Sequence, residues 1–410
     1  MQNYAMRYLT PEILRLLTEE RKMAFVAGPR QVGKTTLVRQ LLEAAGQAHN
    51  YFNWDIESHR KAILRAPEGF WRATAAAGRP RIVLDEIHKY PRWKRFLKGL
   101  YDAAAPGTEI LVTGSGRLDV YQRGGDSLFG RYGLYRLHPF TVGELLAPDR
   151  ACVLEPKEFW RRAVDGAPSP AGAQEALESV ERLSGFPEPL LSGSEFRLRR
   201  WRRARHHLVL REDLRDLTRI RDVGLVESLA ALLPERVGSP LSLNALSEDL
   251  GVAFHTVQSW VTTLGRLYYL FELRPFAGRL ARTLRREAKV YLFDPTEIAE
   301  PGARFENVTA LHLLKLCDAW NDWGYGDFEL HYVRDREKRE VDFLICDSRR
   351  PYALLEAKVS PQATGPGFRY FRERFKPAYA VQLSRGPSGL GAGMRGGVLH
   401  ADAASFLSLV

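Results

Sequence analysis

"MAFVAGPRQVGKTTLVRQLL" occupies Met23–Leu42 and decides the reading of everything around it. Met23 to Ala27 are apolar without a break, the pattern of a strand buried on both faces of a parallel sheet. Gly28-Pro29-Arg30-Gln31-Val32-Gly33-Lys34-Thr35 follows, and then an amphipathic helical run. This is G-x-x-x-x-G-K-T between a strand and a helix, the context in which such a loop wraps phosphate. The glycines let backbone N–H groups turn inward, so Gly28, Gln31, Val32 and Gly33 line the expected cradle. Lys34 supplies a point charge to the β- and γ-phosphates, and Thr35 a hydroxyl to Mg²⁺. Thr36 lies in the first helical turn, where the helix dipole also favours anions. The expected cofactors are ATP and Mg²⁺.

An ATP-hydrolysing site needs acids at the end of a second strand. "PRIVLDEIHKYPRW", Pro80–Trp93, supplies them. Ile82-Val83-Leu84 reads as a buried strand, Asp85 at its end is placed to hold Mg²⁺, and Glu86 to polarise the attacking water. A third strand, in "EILVTGSGR", ends on Thr113-Gly114-Ser115. Thr113 and Ser115 are the candidates for sensing the γ-phosphate. In "DSLFGRYGLYRLHPFTVGEL", Asp126–Leu145, Arg131 could reach a neighbouring subunit's nucleotide, with Arg117 a competitor for that role.

These stretches resemble a known family. Gly28 to Thr36, Leu84-Asp85-Glu86, Thr113-Gly114-Ser115 and Ser127 to Arg131 are similar to the AAA+ ATPases (the AAA_14 or archaeal ATPase-like kind) fused to a DUF4143 domain. "LSGFPEPLL", Leu183–Leu191, looks like the family's Gly-Gly-Phe-Pro-Glu lid motif, with Ser184 where the first glycine stands. The resemblance implies that Pro187 lies against the base or ribose. It also implies a homo-oligomer, a hexamer in its sharpest form, because AAA+ sites take an arginine from a neighbour.

The rest of the chain extends this reading. Glu195–Arg221, "EFRLRRWRRARHHLVLREDLRDLTRIR", holds ten arginines against four acids. It reads as helix, with Leu198, Trp201, His206, Leu208, Leu210 and Leu214 inside and the arginines outside, as a solvated face or as contacts to DNA phosphates. "SPLSLNALSEDLGVAFHTVQSWVTTLGRLYYLFELRPF" looks like a winged helix. Its first helix spans about Leu243 to Leu250, with a turn at Gly251 and a second helix over about Phe254 to Leu264. The second helix would expose His255, Gln258, Ser259 and Thr262, a set with little power to read bases. Arg279, Arg282, Arg285, Arg286 and Lys289 in the ribbon that follows are candidate phosphate contacts.

"RFENVTALHLLKLCDAWN", Arg304–Asn321, and "REVDFLICDSRRPYALLEAKV", Arg339–Val359, resemble the PD-(D/E)XK nuclease core. Glu356 and Lys358 are two apart in a strand and share a face. Asp342 and Glu356 could share a Mg²⁺, Glu306 could add a ligand, and Lys358 could orient water. Such a fold either cuts DNA or serves as a binding scaffold, and likeness does not choose between them.

Composition bounds the answer. The 410 residues exceed one compact core, and a net charge of +11 favours an anionic partner, nucleic acid first. Three cysteines, Cys152, Cys317 and Cys346, lie far apart and offer neither a zinc cluster nor a disulfide framework. No run of 18 apolar residues and no signal peptide is legible, so a cytoplasmic location is expected. The expected fold class is α/β. A P-loop AAA+ domain (1–150) and a helical lid with the basic helix (151–235) come first. A winged helix (236–295) and a nuclease-like α/β domain (296–410) follow. The expected function is an ATPase that binds DNA with little sequence preference and translocates on it or remodels it, branched DNA included. The rivals are an ATP-regulated, Mg²⁺-dependent nuclease and a signalling switch that binds a protein partner.

Overall fold

The computed structural model describes residues 7–71, 79–114, 128–147, 153–166, 169–217, 222–276, 287–386 and 393–410. Ser115, Arg117, Arg279, Arg282, Arg285 and Arg286 lie outside the described residues. The chain divides into two compact units. One comprises Met1–His138 with Pro148–Cys152, the other Pro139–Ala147 with Val153–Val410.

The first unit is built on five parallel strands: β1 (Met23–Ala27), β2 (Tyr51–Asn53), β3 (Arg81–Asp85), β4 (Glu109–Thr113) and β5 (Tyr132–Arg136). Their order is β2-β3-β4-β1-β5. Every residue of β1 and β4 is buried, as befits central strands in a covered sheet, β1 being apolar throughout and β4 at Ile110–Val112. Helices Lys34–Ala44, Glu57–Arg65 and Trp93–Ala103 connect the strands. A core of Phe25, Phe52, Trp54, Ile82, Leu84, Trp93 and Leu97 fills the space beside the sheet. Because all strands run one way, their carboxyl ends share one edge, where ligands of open α/β sheets bind. Register aligns the residues along that edge: Asp85 pairs with Thr113, and Thr113 with Val26.

The second unit begins with helices Pro156–Asp165, Ala173–Leu183, Pro187–Ser192 and Glu195–His207. Helices Val223–Leu232, Leu243–Leu250 and Phe254–Arg266 follow. Gly251 turns the second into the third at φ +63°. Next comes an antiparallel ribbon, β6 (Leu270–Leu273) with β7 (Lys289–Leu292). The 22-residue helix Pro301–Asp322 then leads into a six-stranded sheet. Its strands are β8 (Phe328–Arg334), β9 (Glu340–Asp347), β10 (Arg350–Lys358), β11 (Tyr379–Ser384), β12 (Gly393–Arg395) and β13 (Val398–Asp402), in the order β12-β13-β11-β10-β9-β8. β8, β9 and β10 form an antiparallel meander; β10 and β11 are parallel and are joined through helix Pro366–Phe375, as a parallel pair requires.

Candidate active site

The phosphate loop leaves β1 at Gly28, whose φ is +147°. A Cβ there would stand 2.3 Å from the Leu137 carbonyl oxygen, so only glycine fits. Gln31 and Gly33 also adopt positive φ, +63° and +101°, and the helix Lys34–Ala44 starts directly after Gly33. The loop is braced from outside by the buried Arg7, which donates to the carbonyls of Val32 (2.9 Å) and His138. Val32 itself is buried, while Gln31 and Thr35 are exposed. The Lys34 ammonium is buried inside the loop and donates to the carbonyls of Gly28 (2.8 Å) and Pro29 (2.7 Å). A cation and helix-start N–H groups thus converge on one small concavity, the chemistry that a polyphosphate matches.

Asp85 ends β3 as a hub. The Thr35 hydroxyl donates to its Oδ2 at 2.9 Å, the Tyr51 hydroxyl also donates to Oδ2, and Thr113 donates to Oδ1. Thr35 and Asp85 are therefore adjacent oxygen donors, and the pair fits a Mg²⁺ ion held beside the loop. Burial, then the neighbouring Asp85 carboxylate, pushes the Tyr51 hydroxyl up to about 12, so it stays a proton donor to Asp85.

Glu86 follows in the left-handed region at φ +57°, pinned by its N–H bond to the Thr113 carbonyl (3.0 Å). A non-glycine residue held there costs about 1–3 kcal/mol, and such strain collects at functional sites. Glu86 Oε2 is buried and accepts no hydrogen bond; Lys89 Nζ and His88 Nε2 stand 3.5 and 3.6 Å away. Burial raises the carboxyl pKa, with Lys34 and Lys89 opposing. A poised, unsatisfied carboxylate beside a phosphate cradle can take a proton from water.

Arg131 is tethered within the unit by an ion pair to Asp102 at 2.9 Å. Pro187 lies in the second unit and opens the helix Pro187–Ser192, where its fixed φ suits the first turn. Ser184, which replaces the lid motif's glycine, adopts a glycine-like φ of +72°. The sequence reading missed Arg7 and Tyr51. Neither carries a motif, and each acts through a partner far along the chain.

In the second unit, Glu195–His207 is helical with Leu198 and Trp201 inside and Arg197, Arg200 and Arg203 exposed. Arg205 departs from the expected outward face. It is 1% exposed, stacked 4.6 Å from the Phe186 ring and bonded to the Tyr268 carbonyl. His255, Gln258, Ser259 and Thr262 share the exposed face of their helix, opposite the buried Val257, Trp260, Val261 and Leu264.

The four residues of the nuclease-like pattern come together only in part. Lys358 Nζ lies 3.0 Å from Glu356 Oε1 and 4.0 Å from Asp342 Oδ2. Asp342 accepts the Ala357 N–H, and Gln382 donates to Glu356. Glu306 is held by the Tyr291 hydroxyl (2.7 Å) and by Lys289 (3.3 Å). Among the described residues no three His, Cys, Asp or Glu side chains are arranged to hold a metal ion. Lys289, expected as a phosphate contact, is instead 1% exposed, because distant acids draw it inward.

Comparison with known proteins agrees with the first unit. Residues 20–146 match the family model of an AAA domain (AAA_14), so this part of the chain is an AAA-type P-loop domain, a class of ATPases. Residues 175–296 match a domain of unknown function, DUF8612, where the resemblance had implied DUF4143. The chain is similar to the uncharacterized proteins Mb2031c of Mycobacterium bovis and Rv2008c of Mycobacterium tuberculosis. Each is 23% identical over 365 residues, 87% of this chain and 75% of the relative. Among solved structures, the Aeropyrum pernix Orc1 protein in complex with DNA aligns at TM-score 0.34 and 15% identity, covering 74% of this chain and 91% of that one. The Saccharomyces cerevisiae Hsp104:casein complex aligns at TM-score 0.26 and 15% identity, covering 63% and 48%. No helix among the described residues is long and apolar enough to cross a membrane.

Proposed function

We propose that the protein hydrolyses ATP and uses the cycle to translocate on or remodel DNA, which it grips with little sequence preference. The observation that carries the ATPase half is the row Asp85–Thr113–Val26 at the mouth of the phosphate loop, with Glu86 beside it. The loop N–H groups and Lys34 bind the phosphates, and Thr113 holds Asp85 in place. Thr35 and Asp85 would hold Mg²⁺, which when bound neutralises phosphate charge. Glu86 takes a proton from the water that attacks the γ-phosphorus, and ADP departs with the electron pair of the broken bond. Arg131, released from Asp102, is the arginine for a neighbouring subunit's nucleotide, and Pro187 packs on the base or ribose. The role of Arg131 requires a homo-oligomer, and a hexamer satisfies it.

The DNA half rests on the exposed row Arg197, Arg200 and Arg203, three residues apart on one helix. Helices Leu243–Leu250 and Phe254–Arg266 followed by the ribbon β6–β7 support the winged-helix reading of 236–295. The helix, meander, helix and parallel strand of 301–384 support a nuclease-like scaffold. The face His255, Gln258, Ser259 and Thr262 offers no arginine for base edges, which suits binding through the DNA backbone. Fluorescence anisotropy with duplexes of unrelated sequence, titrated across salt, tests this. Arg197→Ala/Arg200→Ala/Arg203→Ala is expected to weaken all duplexes alike and to flatten the salt dependence by about one unit of slope for each phosphate no longer neutralised. An unchanged slope removes this helix from the interface.

A further inference from the structure

Glu306, one acid of the nuclease-like pattern, already has a buried cation beside it. Lys289 Nζ lies 2.7 Å from Glu340 Oε1 and 3.3 Å from Glu306 Oε1, with the Tyr332 ring centroid 5.5 Å away. The lysine is pinned on both sides: it pairs with Leu273 in the ribbon and bridges to Pro240. Arg334 neutralises the other oxygen of Glu340 at 2.7 Å, and Lys358 takes Glu356.

We infer that Lys289 is the resident cation beside Glu306, that with Lys358 on Glu356 it leaves the pattern's acids paired to ammonium groups rather than open to a divalent ion, and that the domain does not cleave phosphodiesters. Divalent ions of this kind need several oxygens at roughly 2.0–2.6 Å. An ammonium shared between Glu340 and Glu306 takes those oxygens and adds repulsion at short range. The same contact ties the ribbon to helix Pro301–Asp322 and to β9, so the cluster serves as a charged clamp between three elements. It joins the binding face to the sheet without any chemistry of its own.

The test uses the full-length, nucleotide-free protein with Mn²⁺ as probe, read by loss of the free-ion EPR signal, and plasmid integrity in Mg²⁺ and Mn²⁺. Any Mn²⁺ at Asp85 is separated by asking what Asp342→Asn removes. Expected in the wild type is no Asp342-dependent uptake and intact plasmid. Lys289→Met/Glu340→Gln, which removes one charge of each sign, is expected to take up Mn²⁺ at least about tenfold more tightly, lost again on adding Asp342→Asn. Uptake or cutting by the wild type that disappears in Asp342→Asn overturns the inference. So does a folded Lys289 variant that gains no Mn²⁺. If the Lys289 variants do not fold, the wild-type and Asp342→Asn arms decide alone.

Discussion

Glu86 is where sequence, strain and chemistry meet in one residue. Its Oε2 is buried and accepts no hydrogen bond, and burial raises the carboxyl pKa. A base works only when deprotonated, so activity is lost as pH falls through that raised value. The acid limb of kcat against pH is therefore expected above the ordinary glutamate range near pH 4.3. A limb at the ordinary value contradicts the assignment. Glu86→Gln is expected to retain ATP binding and lose about 10²–10⁴-fold in turnover, measured by steady-state phosphate release. The loop, Asp85 and Glu86 were legible in the sequence because their spacing is local and each residue type has one chemical reason to be there. Tyr51 was not, since its bond to Asp85 depends on the pairing of β2 with β3. Lys289 was misread because its sequence neighbours are arginines, while its actual partners lie at Glu306 and Glu340.

At the scale of elements, the helix Pro301–Asp322 organises the second unit. Near its start, Asn307 bonds both the N–H and the carbonyl of Leu292, fastening the ribbon to the helix. One turn on, His312 Nε2 accepts the Val142 N–H, so the ring proton sits on Nδ1 and goes to the Val308 carbonyl. Lys315 completes the contact through Glu144 at 2.9 Å and Thr141 at 2.8 Å, all within the unit. Burial lowers the His312 pKa to about 4. A histidine depressed on folding is neutral when folded and charged when unfolded at mildly acidic pH. Its contribution is fully present above its unfolded pKa of about 6.5 and is lost as pH falls toward 4, by up to about 3 kcal/mol. Denaturant melts at pH 7 and pH 5 should show this loss, and His312→Gln should lose less between the two. Equal losses would mean that the ring is not buried neutral. The helix was legible from its periodicity. Its packing on Thr141–Leu146 was not, because those residues follow β5 directly and read as the end of the nucleotide-binding domain.

Across the whole molecule, the net charge of +11 pointed to an anion, but charge alone does not say where it binds. The structure narrows this in the second unit by separating Arg205, buried under Phe186, from the exposed Arg197, Arg200 and Arg203. The chain divides into two compact units, the second of which takes in Pro139–Ala147. Sequence shows where composition changes, whereas compactness depends on contacts between distant segments. The central claim joins the two units in one activity: ATP turnover in the first answers to DNA held by the second. The most direct test is the steady-state ATPase rate of the full chain, alone and with single-stranded, duplex and four-way-junction DNA, in Mg²⁺ and moderate salt. The account predicts stimulation by DNA that is abolished in Lys34→Ala and weakened in the triple arginine variant, with the DNA intact on a gel. A rate indifferent to every DNA form would contradict it and turn the reading toward a switch that answers to a protein partner.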